Sequence, residues 1–118
     1  MARPPEAPVS AGPRRGSIWW VDLDPTRGAE IRKTRPALVL SADALNRVRR
    51  TVVIVPLSTG PEPRPPIVVV VPSAGVGSVA VCDQVRAVDR ARLTRMVGTL
   101  SMEDLRAVET GVRAVLVL

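Results

Sequence analysis

The chain contains no histidine, tyrosine or phenylalanine, only one cysteine and, beside sixteen arginines, a single lysine, Lys33. Lack of histidine removes the commonest general base and the commonest protein metal ligand. Histidine-dependent nucleases, serine-hydrolase triads and most zinc enzymes are thereby excluded, and Arg, Asp, Glu, Ser and Thr are left to do any chemistry. With Cys82 alone, neither an intramolecular disulfide nor a multi-cysteine metal site can form within one chain, which suits a reducing compartment. The first fifteen residues lack the apolar stretch of a signal peptide, and no apolar run approaches membrane-spanning length, so a soluble cytoplasmic protein is expected.

What is present fits one domain: 118 residues bury a modest core and leave no room for a second. Seventeen basic side chains against eleven acidic ones give a net charge of +6. Arginine offers paired N–H donors to phosphate or carboxylate, so the surplus points to an anionic partner, a nucleic acid or an acidic protein segment. A bias toward arginine also follows from nucleotide composition, and charge alone does not choose between these readings.

Residues 1–15 carry Pro4, Pro5, Pro8 and Pro13 with few large apolar groups and are expected to be a disordered extension, leaving 16–118 as the folded domain. Ile18-Trp19-Trp20-Val21-Asp22-Leu23 is a β-rich run ended by the turn residues Asp24-Pro25. After the polar loop Thr26 to Thr34, the apolar run resumes at Pro36 to Leu40. Ser41 is placed to cap a short helix through Asn46. The β-branched runs Thr51 to Leu57 and Ile67 to Val71 flank the proline-studded loop Ser58 to Pro66, and Ser78 to Cys82 and Arg95 to Thr99 bring the expected strand count to six. Ser101 followed by Glu103 and Asp104 opens a helix whose Leu105, Val108, Val112 and Val115 share one face, with Gly111 costing it about 1 kcal/mol relative to alanine. Short strands followed by a terminal helix predict an α+β fold: a small antiparallel β-barrel or SH3-like sheet with a C-terminal helix.

Three clusters at strand edges could carry chemistry: the loop Arg27 to Arg35, the strand end Leu57-Ser58-Thr59, and Cys82-Asp83-Gln84. Each also has a structural explanation. Glu30 can pair with Arg32 or Lys33, Asp83 can cap a turn through backbone N–H groups, and arginines can simply form a solvated face. Trp19 and Trp20 are neighbours in a strand and must point to opposite sides, one to the core and the other to solvent or a partner.

Taken in order, RGSIWWVDLDP, GAE, TRPALVLS, VVIVPLSTG and CDQVRAVDRARL form a combination that resembles the MazF/PemK (Kid) toxin family, from about Arg15 to the C-terminus. The resemblance implies a CcdB/PemK-like fold and a homodimeric, sequence-specific endoribonuclease of a type II toxin–antitoxin system. Such an enzyme would cut single-stranded RNA without a metal or other cofactor, leaving a 2′,3′-cyclic phosphate and a 5′-hydroxyl. A MazE-like antitoxin with an acidic disordered segment is the implied protein partner. Carried over by position, the catalytic arginine falls on Arg35 and the catalytic hydroxyl on Ser58, with Thr59 adjacent as an alternative. Glu30 and Asp83 match the family's acids and are the candidate proton acceptors, since an arginine stays protonated. Arg32, Lys33, Thr59, Gln84 and Arg86 are the expected RNA contacts, and the Arg90, Arg92 and Arg95 series is a further candidate for the RNA path. Some relatives carry a histidine where this chain has Ala29 and an arginine where it has Val81, so no step can depend on those groups here.

Two other functions share the fold class. A toxin that resembles CcdB would bind DNA gyrase through an aromatic near its C-terminus, whereas this chain has no aromatic after Trp20. An SH3-like binding module without catalysis would leave Arg35, Ser58 and Asp83 unused.

Overall fold

The computed structural model describes residues 12–23 and 34–118. Among these residues, seven strands and two α-helices follow in the order β1 (Ser17–Asp22), β2 (Thr34–Val39), α1 (Asp43–Val48), β3 (Thr51–Ser58), β4 (Val68–Val70), β5 (Val79–Val81), β6 (Arg86–Asp89), β7 (Leu93–Thr99) and α2 (Met102–Leu116). All strand pairings among the described residues are antiparallel, in the order β4-β5-β3-β2-β1-β7, with β6 also on β3. The α+β class and the C-terminal helix are as expected. The barrel is not closed, because β4 and β7 end the order without pairing to each other among the described residues.

The central strands are buried on both faces, which is why PALVL and TVVIVPL read as continuous apolar runs. Alternation sends Leu38, Val55 and Leu57 to one core, where α2 adds Leu105, Val108 and Val112. It sends Ala37, Val39, Val52 and Ile54 to the other face, where Val21, Val88 and Leu93 complete a second core. Trp19 packs against this second core and its indole N–H donates to Ser17 Oγ at 2.9 Å.

Two expectations are corrected. A seventh strand, β6, pairs Arg86–Asp89 with Thr51–Ile54; its polar ends and four-residue length hide it in the sequence. The short helix begins after Ala42 rather than Ser41. The Ser41 hydroxyl instead bonds Asn46 Oδ1 at 2.5 Å and accepts the Val53 N–H at 3.0 Å, so it ties the helix to β3 and is not free to cap.

The start of α2 is as the sequence predicts: the Ser101 hydroxyl accepts the Asp104 N–H at 3.1 Å. Asp104 is buried and its Oδ2 accepts the Ser73 N–H at 2.8 Å, while Ser73 Oγ accepts the Ser101 N–H at 3.0 Å. These bonds fix the 3₁₀ turn Pro72–Ala74 to the helix. Arg15, preceding β1, donates through its side chain to the Leu40 carbonyl and to Glu109 of α2, and its backbone N–H donates to Asp43 Oδ1 at 2.7 Å. No described helix is long and apolar enough to cross a membrane.

Gly111 is explained by packing rather than by helix propensity. A Cβ there would lie 2.7 Å from Cys82 Sγ, 2.9 Å from the Pro66 carbonyl oxygen and 3.2 Å from Val69 Cγ2. Alanine would gain about 1 kcal/mol of helix propensity, but the overpacking costs about 1–3 kcal/mol. Gly111→Ala is therefore expected to be neutral at best and otherwise destabilising, read as a urea midpoint that fails to rise; a clear stabilisation would refute the close approach. Cys82 is fully buried, and this burial, helped by the Asp83 carboxylate, pushes its thiol up to about 11. A maleimide should leave the folded protein unmodified at pH 8 and label it only after denaturant is added, which mass spectrometry reads directly.

Candidate active site

The site forms where the β2–β3 ladder stops. Its register runs Val39↔Ile54, Leu38↔Val55 and Ala37↔Pro56. Neither Pro36 nor Pro56 has a backbone N–H, so each strand loses a donor at this point. Beyond it, Leu57 and Ser58 of β3 pair with Ala80 and Val79 of β5 instead, and among the described residues Arg35 and Thr34 of β2 pair only with Val21 and Asp22 of β1. Continued by two residues, the same register sets Arg35 across from Ser58, with no ladder bond between them.

Two clefts meet at this gap. The larger, about 810 Å³, is lined by Trp20, Thr34, Arg35, Pro36, Leu57, Ser58 and other residues that include Thr59, Ser73, Ser78 and Thr99. The smaller, about 370 Å³, is lined by Leu23, Arg35, Pro56, Leu57, Ser58, Pro61, Val81, Gln84 and Arg86. By strand alternation, Trp20, Pro36 and Leu57 belong to the helix-side face, and Leu23, Pro56 and Arg86 to the other. Arg35 and Ser58 border both clefts.

Arg35 is exposed, and its guanidinium has no ion pair or hydrogen bond among the described residues. Ser58 Oγ accepts the Gly60 N–H at 3.3 Å. That bond uses an acceptor lone pair and leaves the hydroxyl proton available to a ligand. The arrangement thus offers a planar, paired donor from one strand and a single donor from the other, which suits an anionic, tetrahedral group between them.

The sequence-predicted residues divide clearly. Arg35, Ser58, Thr59, Gln84 and Arg86 come together around the two clefts. Asp83 lies exposed on the 3₁₀ turn Cys82–Gln84 and lines neither cleft. Glu30, Arg32 and Lys33 lie outside the described residues. Sequence reasoning missed Trp20 as a cleft residue, though its pairing with Pro36 beside Arg35 follows from alternation once the β1–β2 register is known. Nothing local marks Ser73, Ser78 or Thr99, which arrive from distant turns and from β7. Among the described residues no three His, Cys, Asp or Glu side chains gather as a metal site.

Comparison with known proteins places the chain in a family. Residues 14–116 match the family model for the PemK-like, MazF-like toxin of type II toxin-antitoxin systems. Endoribonuclease PemK of Escherichia coli is 39% identical over 105 residues, covering 81% of this chain and 79% of that protein. Endoribonuclease MazF9 of Mycobacterium tuberculosis is 32% identical over 109 residues, covering 85% and 92%. Among solved structures, MazF (Form-I) from Deinococcus radiodurans superimposes with a TM-score of 0.76 at 28% identity, covering 91% of this chain and 98% of that one. The MazE-MazF complex (Form-II) from the same organism gives 0.79 at 29%, covering 90% and 96%. With a family model spanning nearly the whole described domain and curated relatives matching along most of their length, the chain belongs to the PemK-like, MazF-like family of type II toxin–antitoxin toxins.

Proposed function

We propose that this protein is an endoribonuclease toxin that cuts single-stranded RNA at selected sequences without a metal, with Arg35 and Ser58 acting on the scissile phosphate. The observation that carries this reading is the placement of a guanidinium without a partner among the described residues and a hydroxyl across one gap, bordering both clefts. The relatives named PemK, MazF9 and EndoA are endoribonucleases, which favours RNA cleavage over gyrase binding of the CcdB kind.

RNA carries its own nucleophile. The 2′-oxygen bonds to the neighbouring phosphorus, the bond from phosphorus to the 5′-oxygen breaks, and the products are a 2′,3′-cyclic phosphate and a 5′-hydroxyl. One proton leaves the 2′-hydroxyl and one reaches the departing 5′-oxygen. The protein must hold the phosphate and neutralise the charge that grows on its oxygens. Arg35 does so with paired N–H donors, and Ser58 donates one further hydrogen bond. A carboxylate takes the 2′-proton, Glu30 first and Asp83 second, because a guanidinium remains protonated. Thr59, Gln84 and Arg86 then border the strand on either side of the cut, together with Arg32 and Lys33.

A free ribonuclease of this kind must be restrained in its host cytoplasm. Solved MazE-MazF complexes from Deinococcus radiodurans support a MazE-like antitoxin, whose acidic disordered segment would occupy the same basic cleft. The active form is a homodimer.

Arg35→Ala should lower kcat about 100- to 1000-fold with an unchanged unfolding midpoint. Ser58→Thr should keep activity and Ser58→Ala should lose a large part of it. EDTA should leave the wild-type rate unaltered. Rates on a mixed single-stranded RNA test all of these, and wild-type cleavage by Arg35→Ala would end the reading. Glu30→Gln and Asp83→Asn, compared by their pH–rate profiles, identify the base: the true one removes the acidic limb. Antitoxin and RNA should compete in a binding titration, and a ternary complex with both in the cleft would contradict the shared site.

A further inference from the structure

The cleft uses few of the chain's arginines. At the opposite end of β3 from Ser58, four others gather: Arg47 in the last turn of α1, Arg49 and Arg50 between α1 and β3, and Arg90 just after β6. Arg47, Arg49 and Arg50 are exposed, and Arg90 is half-buried. Arg90 binds the group together: its backbone N–H donates to the Arg50 carbonyl at 2.8 Å and its Nη1 to the Arg49 carbonyl at 3.1 Å.

None of the four is in an ion pair among the described residues, where the pair that does form is Arg15–Glu109. The nearby carboxylates are turned to backbone: Asp89 Oδ1 accepts the Ala91 N–H at 2.8 Å, and Asp43 Oδ1 accepts the Arg15 N–H at 2.7 Å. Like charges held together with no carboxylate partner among the described residues raise the local positive potential and oppose folding, so the patch favours an external anion.

The strand β6 joins this patch to the cleft. Arg86, at its start, lines the smaller cleft beside Arg35, Ser58 and Gln84. Arg90 follows its end, four residues on, about 13 Å away at the rise of a β-strand. Guanidinium groups therefore stand at both ends of one short edge strand, a spacing that a strand of regularly placed phosphates can bridge. We infer that Arg47, Arg49, Arg50 and Arg90 form a second, sequence-independent phosphate-binding site that holds single-stranded RNA after it leaves the cleft past Arg86 along β6. The inference rests on the ribonuclease reading above and adds to it a site outside the cleavage cleft. An acidic protein segment is the competing occupant, since Leu45 and Val48 are exposed on α1 nearby. Continuity with the cleft favours RNA.

The test uses the full chain and a triple variant, Arg47→Gln/Arg49→Gln/Arg50→Gln; Arg90 is kept because its side chain bonds the Arg49 carbonyl. Two RNAs share one cleavage motif, a short one that fills only the cleft and a long one that extends beyond it. Each is made with a 2′-deoxy group at the scissile nucleotide for binding and without it for cleavage. Fluorescence anisotropy across a salt series should show the variant's log Kd–log salt slope on long RNA less steep by about 2, at about 0.7 for each phosphate that the variant no longer neutralises. The slope on short RNA and kcat on short RNA should stay as in the wild type, and the matching Arg→Lys triple variant should restore the long-RNA slope. Equal slopes for wild type and variant would overturn the proposal. So would a variant that binds long RNA normally but has lost affinity for poly-glutamate, which would make the patch a protein-docking surface. Should the wild type cut neither RNA, the ribonuclease reading fails, while the slope difference still reports on the patch.

Discussion

The structure depends on the change of partner that β3 makes at Pro56. Up to that residue the strand is zipped to β2 and β6 and buried on both sides; past it, Leu57 and Ser58 turn to β5. One continuous strand thus anchors two cores and then delivers a hydroxyl to their common edge. A proline on each of the facing strands removes the donors that would keep β2 and β3 paired, and the space they leave is bordered by Arg35 on one side and Ser58 on the other. Rigidity of the scaffold and openness of the cleft come from the same few residues.

Electrostatics divides along the same lines. Arg15 is satisfied by Glu109 and a carbonyl and serves to fasten the start of β1 to α2. Arg92 donates to the Asp22 carbonyl at 2.9 Å and is likewise structural. Arg35 has no such partner among the described residues. In a chain without histidine, an arginine at a strand end whose donors meet no partner among the described residues is well suited to hold an anionic group. The buried acid Asp104 belongs to the structural class: it holds the turn that carries Ser73 into the larger cleft wall and so shapes the site from behind.

Most of the fold is legible in the sequence because burial on both faces writes itself as unbroken β-branched runs, and because Ser101 with its following acids marks a helix start. The strand β6 is not, since Arg-Ala-Val-Asp offers one buried side chain and no apolar run. Ser41 misleads for a different reason: its hydroxyl is claimed by Asn46 and the Val53 N–H, a long-range bond that no local rule contains. At the site, the pairing of Arg35 with Ser58 is reached through the motifs and not through spacing, as the two lie on separate strands whose register the sequence does not state. Trp20 reads, beside Trp19, as packing material, whereas alternation sets it beside Pro36 in the cleft. Gly111 shows the same limit from the other side. Its helix propensity is local and visible in the sequence; the approach of Cys82, Pro66 and Val69 is tertiary and is not.

That approach at Gly111 reaches beyond the helix. The oxygen it admits belongs to Pro66, near the far end of the loop that begins at Ser58, and Arg64 is bridged to Val68 just beside it. The near end is clamped by the pairing of Ser58 with Val79. The loop therefore hangs like a cable between two moorings, and only its middle, Pro61 to Pro63, can be re-spun without slackening either. Since Pro61 reaches the smaller cleft while Ser58 stays moored, variation there reshapes what the cleft admits without shifting the hydroxyl. The cleft wall and the hydroxyl thus occupy separable lengths of a single connection.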